Sequence, residues 1–324
     1  MVLENSEIME EKGTAIVFPG QGSQRPGMGK DFHDNIQVSR DTYREASDAL
    51  GWDVAAMCFG EDERLNLTEY TQPCILTTEI AMVRGLYALY GFSPTLFGGH
   101  SLGEFTALVC AGVLPLAETL QIVQIRGRLM QEAVPVGLGG MSAVIAEDLD
   151  VDLVRRTLGA LPLDVANVNS ANQVVISGKL EAMPEAEVWL RETLGGDRPF
   201  RFVPLNVSAP FHSRFMRPIE GPFEEAFRIY GRGLNSEKAE KVTSNYKGGF
   251  HSAHYEEILR SMVSQLSNTV QWKENMKTLA RHADTIYEVG PGRPLREFFR
   301  TINATCSSVT TLSAAERLFE EGKE

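Results

Sequence analysis

Residues 99–103, Gly-His-Ser-Leu-Gly, are the stretch from which most of the fold can be predicted. An apolar run precedes them at 94–98 and a run of helical character follows at 104–111, which predicts a strand that turns sharply into a helix. Glycines suit such a turn because a Cβ atom would clash where the backbone bends tightly. The pattern predicts that Ser101 is a nucleophile at a helix N-terminus, where free N–H groups favour negative charge. The alternative is an ordinary turn whose serine only caps the helix.

The length and composition are typical of a globular protein with more than one structural unit. The chain has 324 residues, more than one core usually organises, which predicts a large domain with a smaller one inserted. The net charge of −12 argues against general nucleic-acid binding. Because no run of 18 apolar residues occurs, no membrane helix is expected. The acidic first residues lack the apolar segment of a secretory signal.

The cysteines indicate a reducing compartment. Cys58, Cys74, Cys110 and Cys306 are scattered along the chain without a Cys-x-x-Cys pair. We expect them to be reduced core thiols of a cytoplasmic protein, because neither a disulfide framework nor a zinc site has this spacing. No metal site is predicted.

The order of the predicted elements divides the chain into units. Strands that alternate with helices predict a mostly parallel sheet covered on both faces. The middle of the chain instead has the order β-α-β-β-α-β of a ferredoxin-like module. The expected units are a large α/β domain (13–137 and 207–313), a ferredoxin-like subdomain (138–206) and two tails (1–12 and 314–324). The charged ends at 4–12 and 316–324 are expected to be solvated.

A nucleophilic serine needs a base, and the chain has six histidines. His212 lies where the predicted subdomain returns to the large domain, and such junctions line clefts. It is therefore the predicted base, the alternative being a histidine that only hydrogen-bonds its own loop. His100 is expected to point away from Ser101, since neighbours on a sharp turn diverge. The histidines predicted to be solvated are His251, His254 and His282.

An oxyanion formed at the serine would also need hydrogen-bond donors. In a turn of this kind one donor is the main-chain N–H after the serine, here Leu102. Residues 20–22, Gly-Gln-Gly, follow the first predicted strand and lack the Gly-Lys-Ser/Thr of a phosphate loop. They are therefore either a second oxyanion donor or a simple tight turn.

Arg126 is predicted to face the interior. On a helix expected at 116–134 it lies in one row with Ile122, Leu129 and Ala133. An interior guanidinium is costly unless it meets an anion. The anion is either a carboxylate of the protein or that of a bound substrate, which the planar guanidinium can hold with two hydrogen bonds.

Several motifs in a fixed order resemble a known family. They are residues 18–24 (Phe-Pro-Gly-Gln-Gly-Ser-Gln), 71–73 (Thr-Gln-Pro), 99–104, 124–131 around Arg126, 167–170 (Asn-Val-Asn-Ser), 210–213 (Pro-Phe-His-Ser) and 288–292 (Glu-Val-Gly-Pro-Gly). Over residues 14–312 the chain resembles the malonyl-CoA:acyl-carrier-protein transacylases and the acyltransferases of polyketide synthases.

The resemblance implies a fold and a set of catalytic groups. The expected fold is an α/β-hydrolase-like large domain with an inserted ferredoxin-like subdomain. Ser101 and His212 are expected to form a dyad in which a main-chain carbonyl, that of Gln265, orients the imidazole. The N–H groups of Gln21 and Leu102 become the expected oxyanion donors.

The resemblance also implies how substrate is bound. Arg126 is expected to hold the free carboxylate of malonate, and Phe211 and His100 are expected to contact substrate with it. Phe211 before the histidine and Leu102 after the serine resemble malonyl-type more than methylmalonyl-type enzymes.

The implied activity is transfer of a malonyl group from malonyl-CoA to the phosphopantetheine thiol of an acyl carrier protein, through an acyl-serine. Fatty-acid and polyketide synthesis both use this step, and no permanently bound cofactor is expected. The alternative is an acyl hydrolase or proofreading thioesterase with the same dyad. Arg126 argues against that alternative, because a pocket for uncharged acyl chains gains nothing from a guanidinium.

Overall fold

Two sheets of four strands each form the framework of the protein. The computed structural model describes residues 13–196, 199–207 and 209–320. The strands in these ranges are β1 (Gly13–Phe18), β2 (Leu96–Gly99), β3 (Gly139–Ile145), β4 (Leu163–Val168), β5 (Gln173–Lys179), β6 (Arg201–Pro204), β7 (Thr243–Ser244), β8 (Gly249–Phe250), β9 (Ala283–Val289) and β10 (Ser307–Val309). The α-helices are α1 (Lys30–Asn35), α2 (Gln37–Leu50), α3 (Val54–Phe59), α4 (Thr68–Tyr90), α5 (Gly103–Cys110), α6 (Leu116–Glu132), α7 (Val151–Leu158), α8 (Met183–Leu190), α9 (Glu220–Tyr230), α10 (Tyr255–Ser264), α11 (Trp272–His282), α12 (Pro294–Arg300) and α13 (Leu312–Phe319).

The first sheet is parallel, in the order β10-β9-β1-β2. Strand β1, which lies between β9 and β2, is buried on both faces. Ile16 and Phe18 pack into one hydrophobic cluster, and Ala15 and Val17 pack into another. This burial explains why β1 is continuously apolar. The carboxyl ends of β1 and β2 lie side by side, with Phe18 paired to Gly99. The loops that follow these two strands therefore meet at one edge of the sheet.

The second sheet is antiparallel, in the order β4-β5-β3-β6. Helix α7 connects β3 to β4 and α8 lies between β5 and β6, so the βαββαβ order predicted from the sequence is confirmed. Val144, Val174 and Ile176 face a core shared with α7 and α8. Met141 and Val175 alternate with them and face the main core instead. The mixed α/β class with a ferredoxin-like unit is thus confirmed, whereas the domain boundaries stay a prediction.

The carboxyl-terminal segment differs from its prediction. Residues 316–319, expected to be solvated, belong to α13. Glu316 and Arg317 are exposed as expected, but Leu318 and Phe319 are half-buried against the core, so the prediction is wrong for these two. Ala315 is fully buried and the Phe319 ring stacks on Tyr90 and Tyr287. Packing of this aromatic face outweighs the charged residues on the other side of the helix. Residues 1–12 and 321–324, the remainder of the predicted tails, lie outside the described residues.

None of the helices that the structure describes has the length and apolar character needed to cross a lipid bilayer.

Phe319→Ala tests how firmly α13 is docked. Losing two stacked ring contacts should lower the free energy of unfolding by roughly 1–3 kcal/mol, measured by urea denaturation. Glu316→Ala, on the exposed side of the same helix, is the control and should leave the midpoint within error. An unchanged midpoint for Phe319→Ala would mean that α13 does not stabilise the fold.

Candidate active site

Ser101 occupies a strained turn between β2 and α5. Its φ is 53°, a left-handed conformation that costs a non-glycine residue free energy unless the surroundings hold it. A Cβ atom at Gly103 would lie 2.2 Å from the main-chain oxygen of Phe18, and one at Gly99 would lie 2.0 Å from the main chain of Gly103. The strand, turn and helix expected at 94–111 are therefore present, and close backbone packing explains both glycines.

Ser101, His212 and Gln265 form a hydrogen-bonded chain. The Ser101 Oγ lies 2.7 Å from Nε2 of His212, and Nδ1 of the same ring lies 2.7 Å from the main-chain oxygen of Gln265. A carbonyl oxygen only accepts, so the hydrogen belongs on Nδ1, and Nε2 is left to accept from the serine hydroxyl. The structure thus brings together three residues that the sequence places far apart.

The environment keeps the His212 ring neutral. Burial, followed by the positive charge of Arg126, lowers the pKa of His212 from its usual 6.5 to about 3, although the hydrogen bond to Gln265 acts in the opposite direction. A neutral imidazole has a free lone pair on Nε2 at neutral pH. The ring is therefore in the form that can take a proton from Ser101.

Arg126 reaches the same point from α6. Its guanidinium donates to Oε1 of Gln72 at 2.9 Å, to Oε1 of Gln265 at 2.8 Å and to Oγ of Ser101 at 3.2 Å. In the described part of the chain its Nε has no hydrogen-bond partner, and the three acceptors are neutral oxygen atoms. Burial lowers the pKa of Arg126 to about 10, so the side chain stays cationic at neutral pH without a touching carboxylate.

Close helix packing sets the position of this arginine. A Cβ atom at Gly127 would lie 2.4 Å from the main-chain oxygen of Thr68, so the glycine lets α6 approach α4 directly. Gln72 on α4 is then within hydrogen-bond reach of Arg126. The interior orientation expected from the row of apolar residues on this helix is confirmed, with Arg126 only 1% exposed.

The other predicted site residues surround this centre. Gln21 and Leu102 both line the cavity described below, and a Cβ atom at Gly20 would lie 2.5 Å from the main-chain oxygen of His100. The loop at 20–22 therefore packs directly on the serine turn. Nε2 of His100 lies 2.8 Å from Oδ1 of Asn169, which directs the ring away from the serine, and burial lowers its pKa.

A cavity of about 670 Å³ joins these groups. Its polar end holds Ser101, Arg126 and His212, at the carboxyl edge of the parallel sheet. The opposite wall comes from the face of the antiparallel sheet that is turned toward the main core, and from the loops beside it. Its apolar lining residues include Met141, Ala143, Ile145, Val175, Val203, Leu205, Val207 and Phe211. This volume fits an extended small-molecule ligand with a polar head at the buried end.

The structure also reveals polar residues that sequence reasoning missed. His251, predicted to be solvated, is only 3% exposed and its Nε2 lies 2.7 Å from Oε1 of Glu104; that prediction is wrong. The β7–β8 ribbon carries the residue against α5 instead of leaving it at the surface. Oε2 of Glu104 accepts hydrogen bonds from Asn245 and Gln265. No local sequence signal could have identified this network, since its members are more than 140 residues apart from Glu104.

Comparison with known proteins identifies the class. The sequence model described as "Acyl transferase domain" matches residues 15–292, so the chain belongs to the acyl transferase family.

Its relatives within that family carry a more specific name. The malonyl CoA-acyl carrier protein transacylase of Escherichia coli (strain K12) is 36% identical over 313 residues, which cover 94% of this chain and 98% of the relative. The crystal structure of the malonyl CoA-acyl carrier protein transacylase from Clostridium perfringens has a TM-score of 0.85 and 33% identity, covering 96% of this chain and 97% of that one. A malonyl-transacylase in complex with a type II PKS acyl-carrier protein has a TM-score of 0.84 and 33% identity, covering 95% and 99%. The family resemblance predicted from the motifs is confirmed.

The lowered pKa of His212 predicts an unusual pH dependence for Ser101. With a pKa of about 3 the imidazole stays neutral as the pH falls, so the rate of Ser101 modification by a neutral serine-directed reagent should change little between pH 7.5 and 5. An ordinary histidine of pKa 6.5 would lose reactivity by about 30-fold at pH 5. Rates would be followed by intact mass, with Ser101→Ala as the blank. A midpoint near pH 6.5 would contradict the buried, neutral ring.

Proposed function

We propose that this protein transfers a malonyl group from malonyl-CoA to the phosphopantetheine thiol of an acyl carrier protein. The observation that carries the proposal is the 3.2 Å separation between the Arg126 guanidinium and the Ser101 hydroxyl. In a malonyl thioester one methylene separates the reacting carbonyl from the free carboxylate. A nucleophile and a buried cation this close match those two groups. An uncharged acyl chain would leave the guanidinium against apolar carbon, which is costly.

In the first half-reaction His212 is the proposed base. Its Nε2 takes the proton of Ser101 as Oγ attacks the thioester carbonyl, and the N–H groups of Leu102 and Gln21 stabilise the resulting oxyanion. When the carbonyl re-forms, the C–S bond breaks and the coenzyme A thiolate takes the proton from His212. The product of this step is malonyl-Ser101 with the ring neutral again.

The second half-reaction repeats the first in reverse with a new thiol. The phosphopantetheine thiol of the carrier gives its proton to Nε2 of His212 and attacks malonyl-Ser101. The C–O bond then breaks, and Oγ of Ser101 recovers the proton. Because one product leaves before the second substrate reacts, the kinetics should be ping-pong.

The substrate carboxylate also prepares the dyad for reaction. Without it, the charge of Arg126 lowers the pKa of His212 and one of its N–H groups donates to the Ser101 oxygen. Both effects make the serine a weaker nucleophile. A malonate carboxylate paired with Arg126 offsets its charge and takes over the hydrogen bond. Binding of the correct acyl group therefore raises the basicity of His212 where it is needed.

Hydrolysis is the second candidate, because water could replace the carrier thiol at the same dyad. The names of the relatives and the complex of a related malonyl-transacylase with a type II PKS carrier protein favour the thiol acceptor. Either fatty-acid or polyketide synthesis would use this transfer. A cytoplasmic location is part of the proposal, supported by the free thiols of Cys58, Cys74, Cys110 and Cys306.

Ser101→Ala tests the acyl-enzyme. Wild-type protein mixed with malonyl-CoA should gain one malonyl group by intact mass, and the variant should gain none because it lacks the attacking oxygen. Transfer to a phosphopantetheinylated carrier should be lost in parallel. A malonyl adduct that persists on the variant would remove Ser101 from its proposed role.

Arg126→Ala tests the carboxylate contact. Losing charge-assisted hydrogen bonds should lower kcat/KM for malonyl-CoA by roughly 10–100-fold or more, while the relative rate with acetyl-CoA rises. Arg128→Ala, an exposed arginine on the same helix, is the matched control and should retain the wild-type preference. An unchanged malonyl-to-acetyl ratio in Arg126→Ala would assign the arginine a structural role only.

A further inference from the structure

Glu104 is a buried carboxylate that touches neither the cavity nor the Ser101 hydroxyl. It lies in the first turn of α5 and is fully buried. Nε2 of His251 lies 2.7 Å from one oxygen. The other accepts from Nε2 of Gln265 at 2.5 Å and from Asn245, whose side chain lies at 2.6 Å and main-chain N–H at 3.1 Å. With the hydrogen of His251 on Nε2, all four neighbouring groups donate hydrogen bonds to Glu104. An ionised carboxylate, which can only accept, requires this pattern.

Two of these partners hold the strained backbone of Ser101. Oδ1 of Asn245 accepts the Ser101 N–H at 3.2 Å, and Nε2 of Gln265 donates to the Ser101 carbonyl oxygen at 3.2 Å. Asn245 also donates to the carbonyl oxygen of Gly99 at 2.7 Å. A left-handed serine persists only when its surroundings fix it. Both peptide groups that flank Ser101 are fixed by side chains that Glu104 contacts.

Glu104 also fixes the orientation of the Gln265 amide. The amide oxygen accepts from Arg126 and the amide nitrogen donates to Glu104. The reversed orientation would place NH₂ against the guanidinium and oxygen against the carboxylate, so a charge on each side excludes it. The main-chain oxygen of the same residue accepts from Nδ1 of His212. One residue thus connects the carboxylate to the arginine and to the base.

We propose that Glu104 is a positioning residue for acyl transfer, acting through Asn245 and Gln265 on the backbone of Ser101 and on the ring of His212. The inference rests on the proposed function, because it concerns the same nucleophile and base. It separates two roles within the site. Arg126 selects the acyl group, whereas Glu104 keeps the reacting groups in line for any acyl group.

The test compares two acyl donors on Glu104→Gln, which keeps the size of the side chain and removes its charge. An amide cannot accept from all four donors, so the turn should lose its fixed geometry. A misplacement of about 1 Å lowers rates by roughly 100-fold. We expect that loss in kcat for malonyl-CoA with KM little changed, and a similar loss in acylation by p-nitrophenyl acetate. Arg126→Ala should lose rate with malonyl-CoA only.

Glu288→Gln is the matched control. Glu288 is also a buried carboxylate that accepts main-chain N–H groups, those of Leu295 and Arg296 at the start of α12, and it has no contact with Ser101. Near-ultraviolet circular dichroism would give the concentration of folded variant. Divided by that concentration, the rate of Ser101 acylation in Glu288→Gln should equal the wild-type rate. A loss as large as that of Glu104→Gln would assign the effect to buried charge in general and overturn the proposal.

Variants of His251 test the same inference if Glu104→Gln does not fold. His251→Leu removes the donor to Glu104 and should slow acylation by both donors, whereas His251→Gln keeps an N–H at a similar position and should recover much of the rate. Wild-type rates in folded Glu104→Gln, or in His251→Leu, would overturn the role of Glu104. Absence of malonyl-Ser101 in the wild-type protein would instead overturn the proposed function, and the ester would still test Glu104.

Discussion

A guanidinium buried at the inner end of the cavity, whose hydrogen bonds in the described part of the chain go only to neutral oxygen atoms, is the constraint on which the active site depends. Burial favours loss of the Arg126 charge, yet its pKa of about 10 keeps it cationic. The charge of Glu104 acts from beyond the Gln265 amide and favours the cation. The charge of Arg126 lowers the basicity of His212 in the free protein. In the proposed function an acidic acyl group pairs with this charge and removes that effect.

The two sheets contribute differently to this arrangement. The parallel sheet brings the ends of β1 and β2 together, so the serine turn and the loop at 20–22 meet at one edge. The antiparallel sheet uses one face to bury its own helices and the other to cover the cavity. The cavity therefore has an apolar patch on the wall formed by the antiparallel sheet and a buried cation with the serine at its inner end. Malonyl-CoA, with an acidic acyl group at the end of a long pantetheine arm, has the matching distribution.

Much of the site was predictable because its chemistry is local in sequence. Glycines on both sides of Ser101 reflect a clash that the bend itself creates, so the turn could be predicted from residues 94–111 alone. The row of apolar residues beside Arg126 indicated its interior orientation, because helical periodicity is also a local pattern. Gln265 was assigned only through the family resemblance. The wrong predictions concern His251, Leu318 and Phe319, whose burial depends on what packs against them.

The sequence by itself determined the strand, turn and helix around Ser101, the βαββαβ order of the middle segment and the identity of the buried cation. These follow from backbone sterics and from hydrophobic periodicity, which act over a few residues. Only the tertiary structure decided that Glu104, Asn245, His251 and Gln265 share one buried network. Each is an ordinary polar residue in its local context. Their low-dielectric surroundings, and hence their effect on Ser101 and His212, exist only once distant segments have packed together.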